Sequence, residues 1–333
     1  MKGMLKAFSI LALVSCFALP LHAGAADKTV VVYTPLKSAA VSELMSRFTK
    51  ETGIKVETVQ ANTGTILRRV KAESGNARAD VMVSLGGADL QGAAELIEPY
   101  TSKNDDKLAE AFRVGAHWIP FSAATAVVVI NTEEVKEADR PASWKDLADP
   151  RWKGKIASTR ADQSGNAFQT LATVLNSQSD EEAAWVVYKG LMNNLIFVES
   201  AGEVARVVND GELPLGFTLE DNALDYVKGG GPIVIMYPAE GTSIIPDGMA
   251  LVKNAPHPEE GKALIDWLLT ETAQRYIVDG IGRRSVLAAI PEASEGAQPF
   301  DKVARVKYDF VEIGEKSAGW IERWKQLRSE RDD

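Results

Sequence analysis

"ADVMVSLGGADLQGAAELI" (residues 79–97) reads as a buried strand, a glycine turn and a helix, and it decides how the rest of the chain is read. The same unit recurs on both sides of it. Upstream, "KTVVVYTP" (28–35) is a β-rich run stopped by Pro35. Then "KSAAVSELMSRFTKETG" (37–53) sets Val41, Leu44, Met45 and Phe48 at helical spacing and closes at Gly53. "IKVETVQ" (54–60) predicts a second strand, and "NTGTILRRVKAES" (62–74) turns into a helix. Strands alternating with amphipathic helices imply an α/β lobe with a mostly parallel sheet.

Downstream, "TAVVVIN" (125–131) is apolar throughout, as a strand covered on both faces would be. "SWKDLADPRWKGKIAST" (143–159) predicts a short helix, a proline turn and a strand. A second α/β series follows, with helices near 165–177, 181–192, 203–209 and 220–228 and strands at "LIFVES", "LPLGFT" and "PIVIMYP". "DGMALVKNAP" (247–256) is one more strand, and a helix at 258–269 carries Leu264, Trp267 and Leu268 as a core stripe. The tail from Pro299 is helical and charged. The expected organisation is lobe 1 from 27–122 plus 239–298, lobe 2 from 123–238 and a C-terminal helical segment at 299–333, with a cleft between the lobes.

Residues 1–26 read as an export signal. Lys2 and Lys6 precede the apolar run "AFSILALVSCFALPL" (7–21), and "HAGAA" offers cleavage after Ala25 or Ala26. "LVSC" (13–16) also fits lipoprotein processing at Cys16, but the apolar run continues past it to the better cleavage site. The run is shorter than the roughly 20 residues of a spanning helix, so a periplasmic protein is expected. Cleavage would remove the one cysteine and, with two lysines gone, take the formal charge from −9 to −11. That balance argues against nucleic acid and anionic membrane surfaces as partners. No Ser-His-Asp set, catalytic cysteine, Walker loop or His-rich metal motif stands out, so no enzyme, cofactor or metal site is expected.

Ligands of open α/β sheets bind beyond the carboxyl ends of the strands, where helices begin. Polar loops fall there at Tyr33–Ser38, Asn62–Thr65, Ser84–Gly87, Ser158–Asn166 and Thr218–Asn222. Thr63, Gly64 and Thr65, then Ser84, Gly86 and Gly87, then Ser164, Gly165 and Asn166 combine hydroxyls with backbone N–H groups at helix starts. Such groups suit an anion, and the same residues also serve as ordinary caps. "GIGRRSV" (280–286) supplies Arg283 and Arg284, and "STRADQSGN" (158–166) supplies Arg160. Arg160 and Arg284 are the candidate oxyanion ligands, read as loop residues.

"VVVYTPL" (30–36), "SELMSRFTKETGIKVE" (42–57), "ADVMVSLGGADL", "SWKDLADPRWKGKIA", "GELPLGFTLEDNA" (211–223) and "EGTSIIPDGMALVKNAPHPEEGKALIDWLL" (240–269) run in an order that resembles periplasmic solute-binding proteins of ABC transporters. The resemblance is to the group with ferric-iron, sugar-phosphate, phosphoglycerate and phosphonate binders. It implies a type II two-lobed periplasmic-binding-protein fold that closes on a ligand, a monomer without catalytic activity, and a membrane permease with its ATPase as partner. The iron-binding members of that group carry adjacent tyrosines on the loop equivalent to 217–222, and this chain has none there. Thr218, Glu220, Asp221 and Asn222 would instead face the neutral or cationic end of a small anionic, phosphorylated solute. Tyr33, Ser38, Tyr237, Thr242 and Ser243 complete the expected cleft lining. Ferric-iron binding and ligand presentation to a membrane sensor are the alternatives.

Overall fold

The computed structural model describes residues 28–36, 38–114, 117–291 and 293–332, so the export signal at 1–26 and Cys16 lie outside the described residues. β1 (Thr29–Thr34), β2 (Lys55–Gln60) and β3 (Val81–Gly86) are each followed by a helix, α1 (Ser38–Thr52), α2 (Thr63–Ala72) and α3 (Gly87–Gly92). β1 pairs in parallel with both β2 and β3, the arrangement that helical crossovers allow. Val30 and Val32 enter one apolar cluster and Val31 and Tyr33 the other, so this sheet is covered on both faces.

β4 (Ile97–Glu98) and β5 (Ile119–Asn131) come next. β5 is buried at all 13 positions, which explains its lack of alternation in the sequence. The second series comprises α4 (Trp144–Leu147), β6 (Ile156–Ser158), α5 (Gly165–Leu175), α6 (Glu181–Asn194), β7 (Leu195–Phe197), α7 (Ala201–Asn209), β8 (Leu215–Leu219), α8 (Glu220–Lys228) and β9 (Ile233–Met236). β6 is parallel to β7 and β8, whose following helices again start beyond the strand ends. The chain then returns through β10 (Ile244–Val252) to α9 (Pro258–Leu268), α10 (Glu271–Tyr276) and finally α11 (Phe310–Asp332).

The strand order β2-β1-β3-β10-β5-β8-β6-β7 makes β10 and β5 the centre, with β4 on β10 and β9 on β5. The first half of β5 pairs antiparallel with β10, and its second half pairs with β8 and β9. One strand thus belongs to both series. In the second series Val128 and Ile130 join a cluster with α5 and α6, while Val129 joins another with α7 and α8.

The charged C-terminal tail does more than its composition suggests. Ile313, Trp320 and Trp324 lie at helical spacing along α11 and are buried in the cluster of the second series. Phe310, at the start of α11, instead meets Trp118 edge-on at 5.7 Å, beside the first sheet. Trp324 is fully buried and its indole donates to Tyr188 Oη at 3.2 Å. Trp324→Ala should therefore remove about 3–5 kcal/mol of unfolding free energy, the range for truncating a buried large aromatic. Urea unfolding of the purified protein measures it.

Candidate functional site

Where β10 crosses β5, an acidic residue sits in an otherwise apolar strand. Register shifts flank Gly248 in both of its pairings, and a side chain at Gly248 would meet the Trp118 ring at 2.4 Å. Bulges of this kind re-aim a neighbouring side chain, here Asp247. Its Oδ1 accepts from Ser122 N at 3.2 Å and Ser122 Oγ at 2.5 Å. Its Oδ2 accepts from Ser84 Oγ and from Arg283 Nη1, the latter at 2.5 Å. Ser84 reaches this carboxylate from the end of β3 with φ at 64°, a left-handed conformation rarely held by a residue with a side chain.

Arg283 closes the group from the other side. Its Nε donates to Asp221 Oδ2 at 3.2 Å and its Nη1 also reaches Ser84 Oγ at 3.2 Å. Nη2 has no hydrogen-bond partner among the described residues. Burial opposes the charge on this guanidinium, but Asp221 and Asp247 outweigh it and hold Arg283 protonated beyond its usual range. Gly282, at φ 81°, packs its backbone against the first turn of α8 and brings the arginine to Asp221.

Arg284 points the opposite way into a second, fully buried pair. Its Nε donates to Glu220 Oε2 at 3.0 Å and Thr125 Oγ1 at 3.1 Å. Its Nη2 donates to Glu220 Oε1 at 2.8 Å and to the Gln298 carbonyl at 2.7 Å. Tyr237 donates its hydroxyl to the same carboxylate and accepts from Gln298 N at 3.1 Å. Burial, followed by the Glu220 charge, pushes the Tyr237 phenol well above its ordinary range and keeps it a donor. The backbone of Arg284 bridges Ala123 of β5 in both directions. Arg284 Nη1 is buried without a partner among the described residues.

The structure therefore gathers Ser84 and Asp221 with Ser122 and Asp247 on Arg283, and Glu220 and Tyr237 with Thr125 on the adjacent Arg284. The acidic and basic groups expected at opposite ends of a ligand are instead paired with each other. Arg284 lies between elements, as expected, but it is buried rather than open, at 3% exposed. Asp221 lies in the first turn of α8, and none of the polar side chains around it caps that helix, since Leu219 holds the cap position without a side-chain bond. Asp247 was legible as a lone acid in "IIPDGMALV", a residue type rarely buried unless paired.

The other expected residues have local tasks. Thr218 donates to the Ala201 carbonyl at 2.8 Å, and Asn222 leans on Thr218. Thr242 donates to the Ala126 carbonyl at 2.5 Å, while Ser243 meets Gln169 and Thr173 of α5, bracing the crossing strands. Ser164 caps α5, beside Gly165. Asn166, on the same helical face as Gln169, Thr170 and Thr173, is buried with both amide atoms unpartnered among the described residues. Arg160 is engaged by Asp162 at 2.6 Å.

In the first series, Thr63 and Gly64 open α2, with Asn62 capping through Thr65 N and Arg68 donating to Thr65 Oγ1. Tyr33 turns its hydroxyl to Glu73 under the Arg69 guanidinium. Gly86 and Gly87 lead into α3, where a side chain at Gly87 would strike Trp118 and Phe310. Ser38 is the first residue of α1. Two grooves lie apart from the Arg283 group. One of about 730 Å³ runs between α1 and β2, and one of about 480 Å³ lies between the start of β10 and residues 303–310.

A family model described as "Bacterial extracellular solute-binding protein" matches residues 79–312. A Salmonella typhimurium protein named "Putative 2-aminoethylphosphonate-binding periplasmic protein" is 28% identical over 81% of this chain and 82% of its own. Iron uptake protein A1 of a Synechocystis strain is 27% identical over 75% of this chain and 73% of its own. Among solved structures, the periplasmic binding protein AfuA of Actinobacillus pleuropneumoniae, with fructose 6-phosphate bound, superposes with a TM-score of 0.82. It covers 91% of this chain and 99% of its own at 22% identity, which shows the periplasmic-binding-protein fold. No helix among the described residues is long and apolar enough to cross a membrane.

The Glu220–Arg284 pair makes a stability prediction. Glu220→Ala leaves a buried guanidinium without its carboxylate, and about 3–5 kcal/mol should be lost. The denaturation midpoint in urea should fall at unchanged slope.

Proposed function

The chain belongs to the bacterial extracellular solute-binding protein family, whose members are substrate-binding transport proteins and not enzymes, and we propose that it binds a small anionic, phosphorylated organic solute for an ABC importer. The solute is a sugar phosphate, a phosphoglycerate or a phosphonate. It is taken up in the periplasm, after removal of residues 1–26, and handed to an inner-membrane permease with its ATPase.

The observation that carries this reading is Arg283. It is held charged by a buried carboxylate and keeps its Nη2 free of described partners. A guanidinium fixed in this way presents a planar donor edge to an oxyanion. The side-chain amide of Asn166, buried and unpartnered among the described residues, adds a group able both to donate and to accept. The names of the relatives point the same way, one for an aminophosphonate and one crystallised with a sugar phosphate.

Residues 27–122 with 239–298, and residues 123–238, are proposed as the two lobes. β5 and β10 would be the strands about which they close, because β5 pairs with both series. Closure follows from contacts that the ligand makes to both lobes only in the closed arrangement. Ferric iron is the second reading, favoured by the iron-uptake relative and by the hard oxygen donors of Glu220, Asp221 and Tyr237. The engagement of Asp221 by Arg283 and of Glu220 by Arg284 and Tyr237 counts against it.

A thermal-shift panel separates the two. Hexose phosphates, phosphoglycerates and phosphonates are compared with their dephosphorylated counterparts, Fe(III)-citrate and polyamines. A ligand at ~100 times its Kd should stabilise the protein by about 2.7 kcal/mol. A shift with a phosphorylated compound alone supports the proposal, and a shift with Fe(III)-citrate alone replaces it with the iron reading.

A further inference from the structure

The two carboxylates on Arg283 are held unequally. Asp247 accepts from Ser122 N, Ser122 Oγ and Ser84 Oγ besides Arg283, and it sits in the central strand β10. Asp221 makes a single hydrogen bond to Arg283, at 3.2 Å, from the first turn of α8. Asp221 belongs to the second series and Arg283 follows α10 in the apolar cluster of the first, so the weaker contact joins the two. Two carboxylates, Asp221 and Asp247, thus share the guanidinium of Arg283, while Glu220 alone faces that of Arg284.

We propose that Asp221 is a resident counter-ion on Arg283 that the ligand's oxyanion displaces, and that this competition excludes simple inorganic anions. The inference rests on the anionic-solute reading above. An inorganic phosphate arriving at Arg283 meets Asp221 at like-charge range. Displacing the carboxylate then leaves it with 13% exposure and no cation. A solute carrying an ammonium or several hydroxyls beside its oxyanion satisfies the freed carboxylate and takes its place without that penalty. Asp221 thus selects for the organic part of the solute by repelling the bare anion, a discrimination built on repulsion rather than on an added contact.

The test is isothermal titration of inorganic phosphate into the mature protein and into Asp221→Asn, which keeps the shape and removes the charge. Asp221→Ser is a second uncharged variant, and circular dichroism checks that each is folded. Wild-type protein should bind phosphate only at the weak limit of the titration. Both variants should bind phosphate at least about tenfold more tightly than wild type, the scale of one like charge removed at close range. A residue that only supports the fold would weaken binding on substitution and would not create it. Folded variants that gain no phosphate affinity overturn the proposal, as does a wild type that binds phosphate as well as they do. The organophosphate panel on wild type decides the solute reading separately, since the phosphate comparison does not depend on any hit in it.

Discussion

A carboxylate buried in the middle strand of a sheet has to be matched by donors, and much of the local geometry at the crossing strands answers to that requirement at Asp247. The two register shifts around Gly248 aim it, Ser122 supplies two donors from β5, and Ser84 adopts a left-handed backbone at the end of β3 to supply a third. Arg283 completes the set and reaches the first turn of α8 through its Nε, which donates to Asp221. An unpaired ionised carboxylate in such a place would be strongly unfavourable, so these departures from regular structure follow from one acidic residue.

Most of the secondary structure was readable because it depends on local periodicity. α8 occupies Glu220–Lys228, and β5 contains the apolar run read from 125 to 131. The site was only partly readable. Ser84, Glu220, Asp221, Tyr237 and Arg284 were picked by their positions at strand ends and turns, yet their partners lie far away along the chain. Arg283 and Arg284 are adjacent but reach different partners, Asp221 and Glu220, and local sequence does not say which takes which. Residues such as Thr242 and Ser243 look like cleft residues in the sequence but act as struts between α5 and the crossing strands. Capping chemistry and anion-binding chemistry use the same side chains, and only the long-range partners tell them apart.

Net charge proves a poor guide to this region. The chain is acidic overall, at −9, yet the group at the crossing strands is organised by two arginines held in place by carboxylates. Other charges pair at the surface, as Arg323 does with Glu182 and Arg206 with Asp210 and Glu212. Such exposed pairs contribute little to stability. The buried pairs instead impose orientation, because each guanidinium has one arrangement that satisfies its neighbours.

α11 has a consequence for the order in which the molecule assembles. The cluster around α5 and α6 is incomplete without Trp320 and Trp324, and the cluster around β1 and α1 draws on residues as late as Ile290. Neither core is contiguous in the chain. A polypeptide appearing amino-terminus first therefore leaves the cluster around α5 and α6 unfinished until its C-terminal helix follows, and that cluster assembles late.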